Sequence, residues 1–212
     1  TDKIGAAIHH VRTGGGSQGE MRFLTSSDGN SITERMRMRA NGDIYVNCTS
    51  EPDTNTVSGA AFINNNHSEL RMSTGTQTSE ATRIRFYNDD GQAGRIYIDG
   101  STTSYVTSSD YRLKENQVAI SDGITRLKLL KPYRFNWKKH KDVVVDGFFA
   151  HEVTPAVPEA IGGEKDAVNE DGSIKPQDID QSKLVPLLTA ALQEAITKIE
   201  TLETKVAALE AA

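Results

Sequence analysis

One short run, Ser108-Ser109-Asp110-Tyr111-Arg112-Leu113-Lys114-Glu115-Asn116, crowds hydroxyls, carboxylates, a guanidinium and an amine together. Those residue types can carry acyl transfer, in which a serine hydroxyl, a weak nucleophile, is activated by a neighbouring base. Taken alone, Ser109-Asp110 reads as a turn or a helix N-cap, and Lys114 as a solvated lysine. Other reactive side chains offer less. His9, His10 and His67 have no partner at metal-ligand spacing, so no metal site and no cofactor are expected. His140 sits in Lys138-Lys139-His140-Lys141, an exposed loop rather than a phosphate site. Gly14-Gly15-Gly16 lacks the downstream Lys-Ser/Thr of a phosphate loop and reads as flexible. Glu152 and Glu159 are separated by two prolines, which leaves a carboxylate pair without defined geometry. Cys48 is alone, which excludes an internal disulfide and a four-thiolate site.

The elements that must position such groups come from two materials. Residues 1–109 hold 2 Leu, 12 Gly and 1 Pro, whereas residues 110–212 hold 10 Leu, 5 Gly and 5 Pro. Arginine dominates the cations of the first part and lysine those of the second. Only 36% of the 212 residues are hydrophobic, which favours an elongated or oligomeric architecture over one compact core. The net charge of −5, without a basic block, excludes a nucleic-acid or anionic-membrane binder. No apolar run approaches 18 residues, so no membrane insertion is expected. The chain opens Thr1-Asp2-Lys3-Ile4 and reads as a fragment of something longer.

In residues 1–109, the runs Glu20–Leu24, Arg35–Arg39, Arg83–Tyr87 and Arg95–Asp99 alternate polar and apolar side chains, the period of strands. Ser27-Asp28-Gly29-Asn30, Asn41-Gly42, Asn88-Asp89-Asp90-Gly91 and Asp99-Gly100 supply turns. Strand, turn, strand recurs near 20–47 and 82–98 as a loose internal repeat. These strands carry too little apolar bulk to close a core alone. Two arrangements fit, an ordinary antiparallel β-sandwich or an intertwined trimeric β-prism whose chains wrap a common axis.

Residues 123–131 place apolar side chains at helical spacing and stop at Pro132. Tyr133–Trp137 alternates like a strand. Val143–Val145, a turn at Asp146-Gly147 and Phe148–Ala150 suggest a short hairpin, and residues 162–182 read as a polar arm. From about 183 to 212 the period is 3.5. Val185, Leu192, Ile199 and Val206 take position a; Leu188, Ala195, Leu202 and Leu209 take position d. Lys198 to Glu203 and Lys205 to Glu210 match interchain pairing in a parallel bundle. About 28 helical residues would span about 42 Å. Val or Ile at a with Leu at d leans toward dimers, and Ala195 thins one layer, so heptads alone leave the strand number open. The competing reading is an amphipathic helix packed on its own domain.

The run Ser109-Asp110-Tyr111-Arg112-Leu113-Lys114 resembles the start of the intramolecular chaperone domain that ends auto-processing phage tail spikes and tail fibres. That family is best known from endosialidase tail spikes, and a related domain occurs in myelin regulatory factor. The resemblance continues through Leu130-Lys131-Pro132-Tyr133-Arg134-Phe135-Asn136-Trp137, Gly147–Val153, Pro158-Glu159-Ala160 and Ser182–Leu188, and so covers residues 109–212. His151 departs from it, standing where the family more often has Gln. The resemblance implies a domain that trimerises, guides folding of a β fibre, and then releases itself as a single-turnover serine endopeptidase. It implies Ser109 as the nucleophile, Lys114 as its base, and a cut between Ser109 and Asp110.

A lysine acts as a base only if its pKa falls from about 10.4 toward 7–8, through burial or a nearby cation. Arg112 could supply part of that cationic pressure. Five residues separate Ser109 from Lys114, so the two must meet across an extended or turning segment. Attack by Ser109 on its own carbonyl would close a four-membered ring. Attack on the Ser108 carbonyl closes five but cuts one bond earlier, and a serine from a second chain escapes the strain. The route stays open.

The sequence is therefore expected to be α+β: an all-β fibre segment over 1–109, then a mixed chaperone domain over 110–212 ending in a coiled coil. The expected assembly is a homotrimer, with residues 1–109 on the virion tail fibre and the chaperone domain released in the host cytoplasm. A host surface glycan or receptor could meet the first segment, where Tyr87, Tyr97 and Tyr105 are candidate contacts. The alternative is a non-cleaving structural or glycan-binding tip with a permanent C-terminal trimerisation clamp. A glycan-cutting enzyme is weakest, since residues 1–109 show no convincing acid/base carboxylate pair.

Overall fold

Arginine alternating with Met, Ile and Phe cannot bury one stripe of a helix, but it can give a strand two unlike faces. The computed structural model describes residues 5–211 apart from 17, 29, 30, 53–55 and 66. The protein is mixed, mostly β before residue 110, with a long C-terminal helix and no closed barrel among the described residues. It divides into two units, Thr1–Leu113 and Lys114–Ala212.

In the first unit, β1 (Ala6–Arg12), β2 (Gly19–Thr25), β3 (Thr33–Met38), β4 (Ile44–Val46), β5 (Ser58–Ile63) and β6 (Glu69–Thr74) pair in chain order. They form an antiparallel six-stranded meander. A second meander joins β7 (Ala81–Asn88), β8 (Gly91–Asp99) and β9 (Thr102–Thr107). The four alternating runs fall on β2, β3, β7 and β8. Gly42, at φ 89°, lets the chain turn from β3 into β4. Gly29 and Asn30 of the expected β2–β3 turn lie outside the described residues, as do residues 1–4.

The six-stranded sheet reverses the usual arrangement. Its charged face is the covered one. Arg22, Arg37, Tyr45, Ala61 and Arg71 align across β2 to β6, and Tyr45 and Ala61 are fully buried there. Glu20, also buried, accepts from Arg22 Nη2 at 2.9 Å, Arg37 Nη1 at 3.3 Å and Arg39 Nε at 3.3 Å. Arg39 Nη1 also donates to the Tyr45 hydroxyl at 3.0 Å. Burial pushes the Glu20 carboxyl up, but the Arg22 hydrogen bond, the Arg37 charge and the Arg39 hydrogen bond outweigh it and hold it below the ordinary glutamate value.

The second unit builds its core from Val153, Ala156, Val157, Ala160, Leu184 and Leu187, with Leu130, Phe148, Ile161 and Ile179 against them. Two sequence expectations are corrected here. The helix expected over 123–131 is α1, only Gly123–Leu127. After it, Leu129 N bonds to Arg126 O and Leu130 N to Leu127 O, tightening the chain before Pro132. The hairpin turn is not at Asp146-Gly147. Instead β10 (Tyr133–Trp137) pairs with one long strand, β11 (His140–Gly147), and the turn lies at residues 138–139. Asp146 stays within the ladder because Arg134 opposite holds its carboxylate, Nε to Oδ1 at 2.8 Å. His140 thus begins a strand rather than sitting in a loop.

After α2 (Ala150–Val153), the polar arm is pinned at its base by two short strands, β12 (Ile161–Gly162) and β13 (Asp178–Ile179). The last element, α3, runs Val185–Glu210. Its Glu194 carboxylate accepts from Gly123 N at 2.6 Å and Ile124 N at 3.1 Å. It thereby does the capping work that Asp122 does not. Gly123 is buried so close to α3 that a Cβ would stand 2.5 Å from Ala191 N.

Glu20→Gln is expected to cost the β unit about 1–3 kcal/mol at neutral pH, through lost charge-assisted hydrogen bonds. A carboxylate held below its ordinary value stabilises the fold above that value and loses its contribution on protonation. The wild type should therefore weaken as pH falls below the ordinary 4.5, more steeply than the variant; melts at pH 7 and pH 3 compare them. Gly123→Ala should cost about 1–3 kcal/mol by overpacking α1 against α3, read as a lower urea midpoint at 222 nm.

Candidate functional site

After β9 the backbone is held once more, Ser108 N donating to Ala93 O at 3.0 Å. Ser109 follows and is exposed. Asp110, half-buried, then organises the next turn. Its Oδ1 accepts from Arg112 N at 2.9 Å, and Leu113 N closes on Asp110 O at 3.2 Å, giving a 3₁₀ turn over Tyr111–Leu113. The Arg112 guanidinium folds back onto the same carboxylate, Nε to Oδ1 at 3.0 Å and Nη2 to Oδ2 at 2.6 Å. Asp110 and Arg112 are thus brought together as a two-pronged ion pair. Lys114, exposed, is the first residue of the second unit. Along this stretch Tyr111 and Leu113 in the first unit, and Val118 in the second, each keep more than 70% of their surface exposed.

The eight heptad residues all lie on α3. Val185, Leu188, Leu192, Ile199, Leu202, Val206 and Leu209 are exposed, and Ala195 is half-exposed. A different stripe, Leu187, Ala190 and Ala191, packs into the second unit. From Ile196 to Ala211 every residue is exposed.

Between these features, an aromatic cluster links Tyr133 and Phe149 at 5.0 Å, with Phe135 6.1 Å from Phe149. His151 stacks on Phe149 at 6.2 Å. Glu152 pairs with Lys131 at 3.1 Å, and a hydrogen bond to Glu152 raises the Tyr133 hydroxyl above its ordinary value. Glu152 is thereby engaged with β10 rather than with Glu159. Arg126 donates to Ala156 O at 2.9 and 2.6 Å. Sequence reasoning passed over Glu194 and Arg126; each acts across more than 25 residues, and no local spacing signals such a partner.

In the first unit, Tyr87 and Tyr105 are exposed, whereas Tyr97 lies under the Arg95 guanidinium at 4.3 Å. Tyr97 and Tyr105 occupy opposite faces of the three-stranded sheet. Among the described residues no group of three or more metal-ligating side chains occurs, and no helix is long and apolar enough to cross a membrane.

Residues 109–162 match the family described as chaperone of endosialidase. The match begins at Ser109, and over that stretch it bears out the likeness seen in Ser109–Lys114 and in Tyr133–Trp137. This family supplies chaperone domains to phage tail fibres and endosialidases. No curated protein sequence matches the chain.

Proposed function

We propose that this chain is the C-terminal part of a phage tail fibre or spike. In this reading residues 110–212 trimerise the chains, guide the β segment into register and then release themselves by autoproteolysis at Ser109/Asp110. The observation that carries the reading is α3. One stripe is fixed to its own unit, while seven of the eight heptad residues stay exposed. The exposed end of α3, Ile196–Glu210, has no packing within its own unit, and a helix that short is marginal in water, so its stability comes from other chains. The exposed area agrees: 16308 Å², against about 11,600 Å² for two separate compact units of half this mass. The surplus is on the scale of an obligate interface.

The chemistry follows from that assembly. Attack on the Ser109–Asp110 bond by the chain's own Ser109 is strained, so the hydroxyl comes from a neighbouring copy. Ser109 Oγ adds to the carbonyl carbon while Lys114 takes its proton. The C–N bond then breaks, and the lysine ammonium returns the proton to the leaving amine of Asp110. Water hydrolyses the ester and restores the hydroxyl. Lys114 is exposed in the single chain, and Arg112 is already engaged by Asp110. The burial a lysine base needs is therefore supplied by a second copy. Cutting then reports completed assembly, and the product is left kinetically trapped, since copies no longer held together by α3 find one another slowly.

A denaturing gel tests this directly. The wild type should give two pieces of near half size, and Ser109→Ala and Lys114→Ala one 23.1 kDa band each. Ile199→Asp, which places a charge in the seam, should slow cutting at least tenfold. An intact wild-type band means the permanent clamp, and intact masses showing a cut after Ser108 mean attack within one chain. Cutting of Ile199→Asp at the wild-type rate would show that assembly is not required.

A further inference from the structure

The middle of the more exposed face of the six-stranded sheet is almost wholly apolar, with Arg12 on the same face at its margin. Two ladder rows cross it: Ile8, Phe23, Met36, Val46, Ala60 and Met72, then His10, Met21, Met38, Ile44, Phe62 and Leu70. His10 is the one ionisable side chain in them. Ile8, Met21, Met38, Val46, Phe62 and Leu70 are each 40–66% exposed. Together they present on the order of 600 Å² of apolar surface, more than the few hundred Å² a monomer commonly leaves bare. The other face cannot take this role. Its charges are already matched within the chain, Glu20 with Arg22, Arg37 and Arg39, and Glu34 with Arg37.

We infer that this apolar face is where neighbouring copies of the chain meet, sheet against sheet, with the Arg–Glu face turned to solvent. The inference rests on the oligomeric reading above and adds the surface through which the β segment itself assembles. The area supports a second copy as the occupant. Three patches of about 600 Å² around one axis give about 1,800 Å² in all, above the roughly 1,200 Å² at which specific interfaces begin. With one ionisable group among the twelve, the contact carries almost no desolvation penalty for charge. Around a threefold axis three such faces can line one core, their Met, Ile, Phe and Leu side chains interdigitating as between packed sheets.

Single cysteines in the full chain test this, in a Ser109→Ala, Cys48→Ser background that keeps the chain whole and removes its natural thiol. Met38→Cys and Phe62→Cys lie on the apolar face, and His9→Cys lies on the opposite one, beside Arg22. Native mass gives the oligomeric state, and maleimide labelling gives the accessibility of each thiol. We expect a trimer in which the Met38 and Phe62 positions label at least tenfold more slowly than the His9 position. A trimer whose Phe62 position labels as fast as His9 overturns this inference alone. A monomeric mass removes the oligomeric reading as well. Slow labelling at His9 with fast labelling at Phe62 would make the charged face the interface.

Discussion

Apolar surface left largely exposed among the described residues is the constraint on which the rest depends. The six-stranded sheet buries Glu20 among arginines on one face and leaves methionine and phenylalanine largely exposed on the other. The C-terminal helix does the same with its heptad seam. Each feature alone would be a solubility hazard for a monomer. Together they are the surfaces that the proposed assembly would cover.

The charged face shows how such a sheet survives. Arginine stems cover Tyr45 and Ala61 while their guanidinium groups satisfy Glu20. Breaking this network would strand a buried carboxylate, so the face is rigid and chemically complete. The apolar face has no such internal closure and stays available. A division of labour between faces explains a composition poor in leucine and rich in arginine before residue 110.

Much of this was legible in the residues, for identifiable reasons. The period-two runs fell on β2, β3, β7 and β8 because arginine alternates with bulky apolar side chains there. Strands β1, β5, β6 and β9 are not marked by these runs; in β5 and β6, Ser-Gly-Ala-Ala-Phe-Ile and Glu-Leu-Arg-Met-Ser-Thr hold few β-branched residues, and pairing with neighbours decides their state. The hairpin at 143–150 was misplaced because Asp-Gly is a strong local turn signal; here Arg134 across the ladder overrides it. In the candidate site, the motif around Ser109 could be read, but the engagement of Arg112 by Asp110 could not. A two-residue separation allows that contact without requiring it. Own-domain packing of α3 is the competing reading of the heptads, but the sequence does not single out its stripe, since Leu187, Ala190 and Ala191 lie among more conspicuous heptad leucines.

The cap on α1 also sets a timetable. Gly123 and Ile124 depend on a carboxylate 71 and 70 positions further on. A ribosome must therefore have translated past residue 194 before that short helix can be sealed. The first unit emerges from the exit tunnel well before then, with its sheet already long enough to pair. Synthesis order thus delivers the strands first and α3 last, and a nascent chain stalled before residue 194 lacks the carboxylate that caps α1.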